Sequence, residues 1–157
     1  MFLSDQLIIN GYKKGIFPMA ESADDPYVFW VSPEKRGVIF INEFYLPKSL
    51  KKLIKKEDFL VKTDSNFEEV IFHCSKKNEK RTETWINKQI IDNYIILFRK
   101  GLAKSIECYY EGDLVGGLYG VKLGSVFFGE SMFSRKNNAS KIALVYLAAY
   151  LLSLIHI

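Results

Sequence analysis

The sequence predicts an α+β fold, an antiparallel sheet packed with helices. Three observations carry it: apolar residues recur at helical spacing through the middle of the chain, the period switches to two after Lys104, and a charge-free apolar run closes the chain. The chain has 157 residues, 48% hydrophobic and 15% aromatic, enough to bury a core, and its charged share of 25% excludes a disordered protein. With 22 Lys+Arg against 18 Asp+Glu, the net charge of +4 is too mild to name a partner, so the placement of charge matters more than its sum. Cys74 and Cys108 form no CxxC pair, and His73 and His156 stand apart. Neither a disulfide framework nor a metal site is indicated. The start, Met1-Phe2-Leu3-Ser4-Asp5, lacks the basic-then-apolar pattern of a secretory signal, so a soluble cytoplasmic protein is expected.

Taken in order, Met1 to about Trp30 reads as loop-rich, holding Tyr12-Lys13-Lys14-Gly15-Ile16-Phe17-Pro18 and an acidic stretch from Glu21 to Asp25. Ser32-Pro33-Glu34-Lys35-Arg36-Gly37 predicts a turn into a short strand at Val38–Ile41. Pro47 to Lys56 predicts a short helix. At ~100° per residue Lys48, Lys51, Lys52, Lys55 and Lys56 fall within an arc of about 140°, opposite Leu50, Leu53 and Ile54. Such a face is either solvated or built for a polyanion; no acids are interspersed to relieve its self-repulsion, and both readings stand.

Ser65-Asn66-Phe67-Glu68 fits a capping box, followed by Phe67, Val70, Ile71 and Cys74 as a buried helical stripe. A polar loop, Ser75 to Glu83, carries Lys76, Lys77, Lys80 and Arg81. Asn87 caps a longer helix that buries Ile90, Ile91, Tyr94, Leu97 and Phe98 and stops at Gly101. Ile106, Cys108 and Tyr110 then alternate with Ser105, Glu107 and Tyr109, and Glu111-Gly112-Asp113 turns the chain. Strands at Leu114–Val121 and Ser125–Glu130 complete a meander, on which an apolar helix from about Ser140 packs. The charge-free run from Ile142 to Ile157 is 16 residues, shorter than the roughly 18–20 of a membrane span.

Chemistry concentrates at Gly129-Glu130-Ser131-Met132-Phe133-Ser134-Arg135. A carboxylate beside Phe127, Phe128 and Phe133 is costly to bury alone, so Glu130 is either paired, with Arg135 as a partner, or placed to meet a substrate. Gly116-Gly117-Leu118-Tyr119-Gly120 lacks P-loop and GxGxxG spacing, so its glycines are read as permitting close approach of strands or a ligand. Trp30, Trp85 and Tyr94 read as core aromatics, and His73 as a partly exposed helix residue.

Several blocks together resemble one family. Tyr12 to Met19, Trp30-Val31-Ser32-Pro33, Thr84-Trp85-Ile86, Leu114 to Val121, Phe128 to Ser134 and Asn138-Ala139-Ser140-Lys141 look, in this order, like the leucyl/phenylalanyl-tRNA–protein transferases. The resemblance runs from about Gly11 to Leu147. It implies an aminoacyltransferase that moves leucine or phenylalanine, and less readily methionine, from aminoacyl-tRNA to the N-terminal Arg or Lys of acceptor proteins. The tag sends them into N-degron proteolysis. It also implies a small N-terminal lobe at 1–60 and an acetyltransferase-like (GNAT-type) aminoacyl-transfer lobe at 61–157, a monomer, no cofactor, no metal and no membrane partner.

By the same resemblance Lys48, Lys52, Lys55 and Lys56, with Lys51 on their face, hold the tRNA. Lys76, Lys77 and Lys80 extend that track by our own inference. Trp85, Tyr94, Phe127, Gly129, Glu130 and Met132 fall on positions lining the aminoacyl-adenosine site, where Trp85 suits stacking on adenine at roughly 1–3 kcal/mol. An apolar pocket without room for β-branching would select Leu and Phe. The ester is already activated and an α-amino group has a reference pKa of about 7.7–8, so catalysis can rest on alignment and on hydrogen bonds to the developing oxyanion. Glu130 is the candidate for holding an amino group.

Val31 stands where the family commonly has a second tryptophan, and Lys104 where it has a histidine. The family's catalytic Asp-x-Gln strand has no counterpart before Ile157. The transfer lobe is therefore expected to be C-terminally truncated and incomplete, and this polypeptide poorly active beside a full-length parent. Ser153-Leu154-Ile155-His156-Ile157 is expected to be foreign to the gene, with no role for His156. Two other readings remain. One is a tRNA-binding protein without catalysis; the other is a GNAT-type acyltransferase using another donor, for which the pyrophosphate loop of coenzyme A enzymes is missing.

Overall fold

Ser4 starts the first helix in the computed structural model, which describes residues 2–155. Its hydroxyl accepts from the Leu7 N–H at 3.2 Å, Asp5 supplies an acid to the first turn, and α1 runs Asp5–Lys13. The opening segment is thus not the loop-rich stretch expected. Ile8, Ile9 and Tyr12 form a buried stripe at i, i+1 and i+4, and the helix ends where Gly15 takes a positive φ of 78°. A two-stranded ladder follows, β1 (Phe17–Met19) antiparallel to β2 (Phe29–Val31).

The strand expected at Val38–Ile41 does not form. Val38, Ile39 and Phe40 are exposed and meet no partner strand among the described residues, and the chain enters a 3-10 turn at Ile41–Glu43. High β-propensity without a ladder to join does not make a strand. The lysine helix forms as read, α2 at Lys48–Lys55, with Leu50 buried. Strand β3 (Phe59–Thr63) leads to α3 (Phe67–Ser75), which buries Phe67, Val70, Ile71 and Cys74 as predicted. Asn87 caps α4 (Lys88–Arg99), its side-chain oxygen accepting from the Ile90 N–H at 3.0 Å, and Gly101 ends it at φ 76°.

The meander comprises β4 (Ala103–Tyr110), β5 (Asp113–Leu123) and β6 (Val126–Ser134), with β3 joining to give the antiparallel order β3-β4-β5-β6. Helix α5 (Ala139–Ile155) packs along one face, while α3 and α4 cover the other. Among the described residues no helix is long and apolar enough to cross a membrane. His156 and Ile157, the end of the apolar run, lie outside the described residues. The glycines of β5 permit close packing, as the sequence suggested. A Cβ at Gly116 would stand 2.5 Å from the Ala139 Cβ at the start of α5.

Covering both faces changes the meaning of the alternation in β4. Ile106 and Cys108 face α5, yet the opposite set is also buried, with Ser105 and Glu107 at 0% exposure. Glu107 accepts from the Ser65 N–H (3.2 Å), the Ser65 hydroxyl (2.9 Å), the Asn66 N–H (3.3 Å) and the Ser105 hydroxyl. Ser65 therefore does not open a capping box: Asn66 is the cap residue and makes no side-chain cap bond. A buried carboxyl on the sheet supplies the acceptors for the entry to α3 instead.

Glu107→Ala leaves four donors without their acceptor and should cost about 3 kcal/mol in urea unfolding. A loss under about 1 kcal/mol would show that water or rearrangement replaces this anchor.

Candidate active site

The edge strand β6 organises the site. Its register pairs Tyr119 with Ser131 but Gly120 with Gly129, so Glu130 is an extra residue with no opposite number, a β-bulge. Phe127 packs against the α5-side cluster of Ile106, Leu118, Ala143 and Leu147. Gly129, opposite Gly120, and Met132, opposite Leu118, share that face by register. Phe128 and Phe133 pack on the cluster under α1, α3 and α4. The bulge turns Glu130 towards this second face, where it meets α1.

There the Tyr12 hydroxyl donates to Glu130 Oε1. Tyr12 has one proton to give, so the Tyr94 hydroxyl, 2.6 Å away, donates to Tyr12 in turn. The Tyr12 ring lies against Phe128 with centroids 4.7 Å apart. Tyr119 stands edge-on to Tyr94 at 5.7 Å, and its buried hydroxyl has no partner among the described residues. Burial holds all three phenols well above their ordinary pKa. Burial likewise pushes Glu130 up to about 7, against the opposing pull of the Tyr12 hydrogen bond and the Arg36 charge.

The alternative partner, Arg135, is not used. It follows the end of β6, five residues or roughly 16 Å of extended chain beyond Glu130. No ion pair joins the two among the described residues. Arg36, whose guanidinium donates to the Gly15 carbonyl at 2.6 Å and lies over the Phe17 ring, is the cation that influences Glu130.

The sequence-derived site residues thus divide. Trp85 is partly buried against the core under α4, its carbonyl accepting from the Ala20 N–H at 2.9 Å; Tyr94 is fully buried as a support for Tyr12. Phe127, Gly129 and Met132 share the other face by register, a shelf on which Phe127 is half-buried, Met132 is 45% exposed and a Cβ at Gly129 would touch nothing within 4 Å. Glu130 sits on the strand between the two sets. Tyr12, the hydrogen-bond partner of Glu130, is a member of this candidate site that sequence reasoning misses, because its segment reads as loop; the signal is the i, i+1, i+4 pattern behind a Ser-Asp start. The lysines of α2 are exposed and make no ion pairs among the described residues, while Leu50 seats the helix on Cys108, Ala139 and Ile142.

Two family models match this chain. One described as leucyl/phenylalanyl-tRNA protein transferase covers residues 38–154, and one for the N-terminal domain of that transferase covers residues 3–34. The chain belongs to the leucyl/phenylalanyl-tRNA–protein transferase family, a family of aminoacyltransferases. It is 48% identical over 149 residues to the leucyl/phenylalanyl-tRNA–protein transferase of Paramagnetospirillum magneticum, a match spanning 95% of this chain and 71% of that protein. Residues 35–37, just before the 3-10 turn, separate the two matched segments. Tyr12 lies in the N-terminal segment and Glu130 in the transferase segment, so the hydroxyl–carboxyl bond joins the two parts of the family fold.

The raised pKa of Glu130 has a stability consequence. Between about pH 4.5 and 7 the folded chain holds a proton that the unfolded chain releases, so this group's contribution falls as pH rises through that window. Glu130→Gln should therefore be more stable than the parent above pH 7, by on the order of 3 kcal/mol, with the gain vanishing near pH 4. A pH-independent difference in melting temperature would contradict this.

Proposed function

We propose that the chain binds aminoacyl-tRNA through α2 and presents its esterified leucine or phenylalanine, or less readily methionine, at the Glu130 bulge. The α-amino group of an acceptor protein beginning with Arg or Lys attacks the ester carbonyl there. A peptide bond forms as the ester C–O bond breaks, and the tRNA leaves with its terminal ribose hydroxyl restored by the proton the amine gives up. The product marks the acceptor for N-degron proteolysis. Family membership over nearly the whole chain carries the reading, and the apolar side chains of Phe127 and Met132 fit apolar aminoacyl groups.

On this reading the aminoacyl-adenosine end crosses the β6 edge. Its side chain rests on Phe127, Gly129 and Met132, and its adenine reaches towards Trp85. Glu130 offers a carboxyl that titrates near neutrality, suited to holding an amino group by a charge-assisted hydrogen bond. It also attracts the cationic first residue of the acceptor. Tyr12 and Tyr94 act as positioning residues that fix the carboxyl. Residues 1–60 form the smaller lobe and residues from 61 onward an acetyltransferase-type transfer lobe; a helix-covered antiparallel meander supports that assignment.

The lysine face is tested by salt. Replacing Lys51, Lys52, Lys55 and Lys56 by alanine should weaken tRNA binding and flatten the plot of log K against log salt by about 0.7–0.9 for each phosphate no longer neutralised. An unchanged slope returns α2 to an ordinary solvated face. Trp85→Ala should lower affinity for an aminoacyl-adenosine analogue about tenfold or more, while affinity for uncharged tRNA lacking its terminal adenosine stays within twofold. Equal losses for both ligands would refute adenine stacking.

A further inference from the structure

A second cationic surface lies outside the lysine helix. At the C-terminal end of α3, a pocket of about 440 Å³ is lined by His73, Lys76, Lys77, Arg81, Phe133 and Arg135, among others, and among the described residues no Asp or Glu lines it. Lys77 pairs with Glu83 at 3.3 Å; Lys76, Arg81 and Arg135 have no carboxylate partner among the described residues. Lys76 instead rides over the half-exposed Phe72 ring at 4.5 Å, and His73 stacks on Phe133 with centroids 4.7 Å apart and planes 16° from parallel. The uncompensated charge is felt locally. Burial first, then Lys76 and Arg135, hold the His73 pKa below its ordinary value, against an opposing pull from Glu69.

The pocket adjoins the candidate site. Met132 belongs to its rim as well as to the apolar shelf, and the Arg81 guanidinium donates to Thr84 Oγ1 at 3.2 Å, one residue before Trp85. An acceptor's N-terminal Arg or Lys would be repelled here. Cations interleaved with accessible rings are what a single-stranded nucleic-acid backbone with unstacked bases requires, and the volume suits a phosphate with its sugar. We propose that this pocket binds the phosphodiester backbone of the tRNA's single-stranded 3′ end, just before the nucleotide that carries the amino acid. The proposal rests on the aminoacyl-tRNA reading given above and adds a contact separate from the α2 lysines.

The test uses the full chain with Lys76→Ala, Lys77→Ala and Arg135→Ala combined, all exposed side chains. A companion variant, Lys76→Arg with Lys77→Arg, keeps the charge. Binding is measured across a salt series on uncharged tRNA and on the same tRNA with its four 3′-terminal nucleotides removed. The alanine variant should bind intact tRNA about tenfold more weakly, with a salt slope shallower by about 0.7 for each phosphate released. On trimmed tRNA it should match the parent within twofold, and the arginine variant should match the parent on both. A parental slope, or equal weakening on both tRNAs, overturns the pocket while α2-dependent binding persists. If the parent binds neither tRNA, the aminoacyl-tRNA reading itself falls, and the pocket with it.

Discussion

The hydrogen bond from Tyr12 to Glu130 is the constraint on which the site depends. A carboxyl on a regular edge strand would point by alternation to a face set by its neighbours. The bulge removes Glu130 from that alternation and aims it at α1. The N-terminal segment is held there by its own buried stripe, by the Ala20–Trp85 backbone bond and by Tyr94 beneath Tyr12. Each contact supports the next, so the carboxyl stays fixed although burial disfavours its charge.

Two other carboxyl and lysine arrangements show how differently the same chemistry is used. Glu107 is more deeply buried than Glu130, yet four donors surround it and it serves only to hold the entry to α3. Among the described residues Glu130 has one hydroxyl donor, with Arg36 acting on it only through its charge, which leaves it acceptor capacity for an incoming group. Among the lysines, Lys88 pairs with Asp92 and Lys104 with Asp64, as surface lysines commonly do. The α2 set makes no such pair among the described residues, and neither does Lys76. Charge at those positions, as at other lysines and arginines without an ion pair among the described residues, remains available to a polyanion.

Much of this is legible in the sequence, where local signals agree with tertiary packing. The α3 stripe, the Asn87 cap, the Gly101 stop and the lysine face follow from spacing alone, as does the α4 stripe in Ile90, Tyr94 and Leu97, though Ile91 and Phe98 are half-buried and Asn93 is buried beside them. What fails are elements whose fate is set by distant partners. Val38–Ile41 has strand propensity but no ladder to join. Ser65 has a cap's neighbours, but Glu107, 42 residues away in sequence, takes its hydroxyl. The β4 alternation cannot reveal that helices cover both faces. Within the candidate site, the motif around Glu130 draws attention to β6, yet a bulge has no sequence signature there. The separation of Phe127, Gly129 and Met132 from Trp85 and Tyr94 is illegible, because one extra residue reverses which face each side chain takes. Tyr12 is hidden by the same non-locality, since its partner lies 118 positions away.

Glu130 is, on this reading, the meeting point of esterified residue and protein. The most direct test is an experimental structure of the chain soaked with a non-hydrolysable phenylalanyl-adenosine analogue. The analogue's amino group should lie within hydrogen-bonding distance of the Glu130 carboxyl, with its phenyl ring on the Phe127–Gly129–Met132 shelf. An analogue bound elsewhere, with Glu130 contacted by Tyr12 alone, would contradict it.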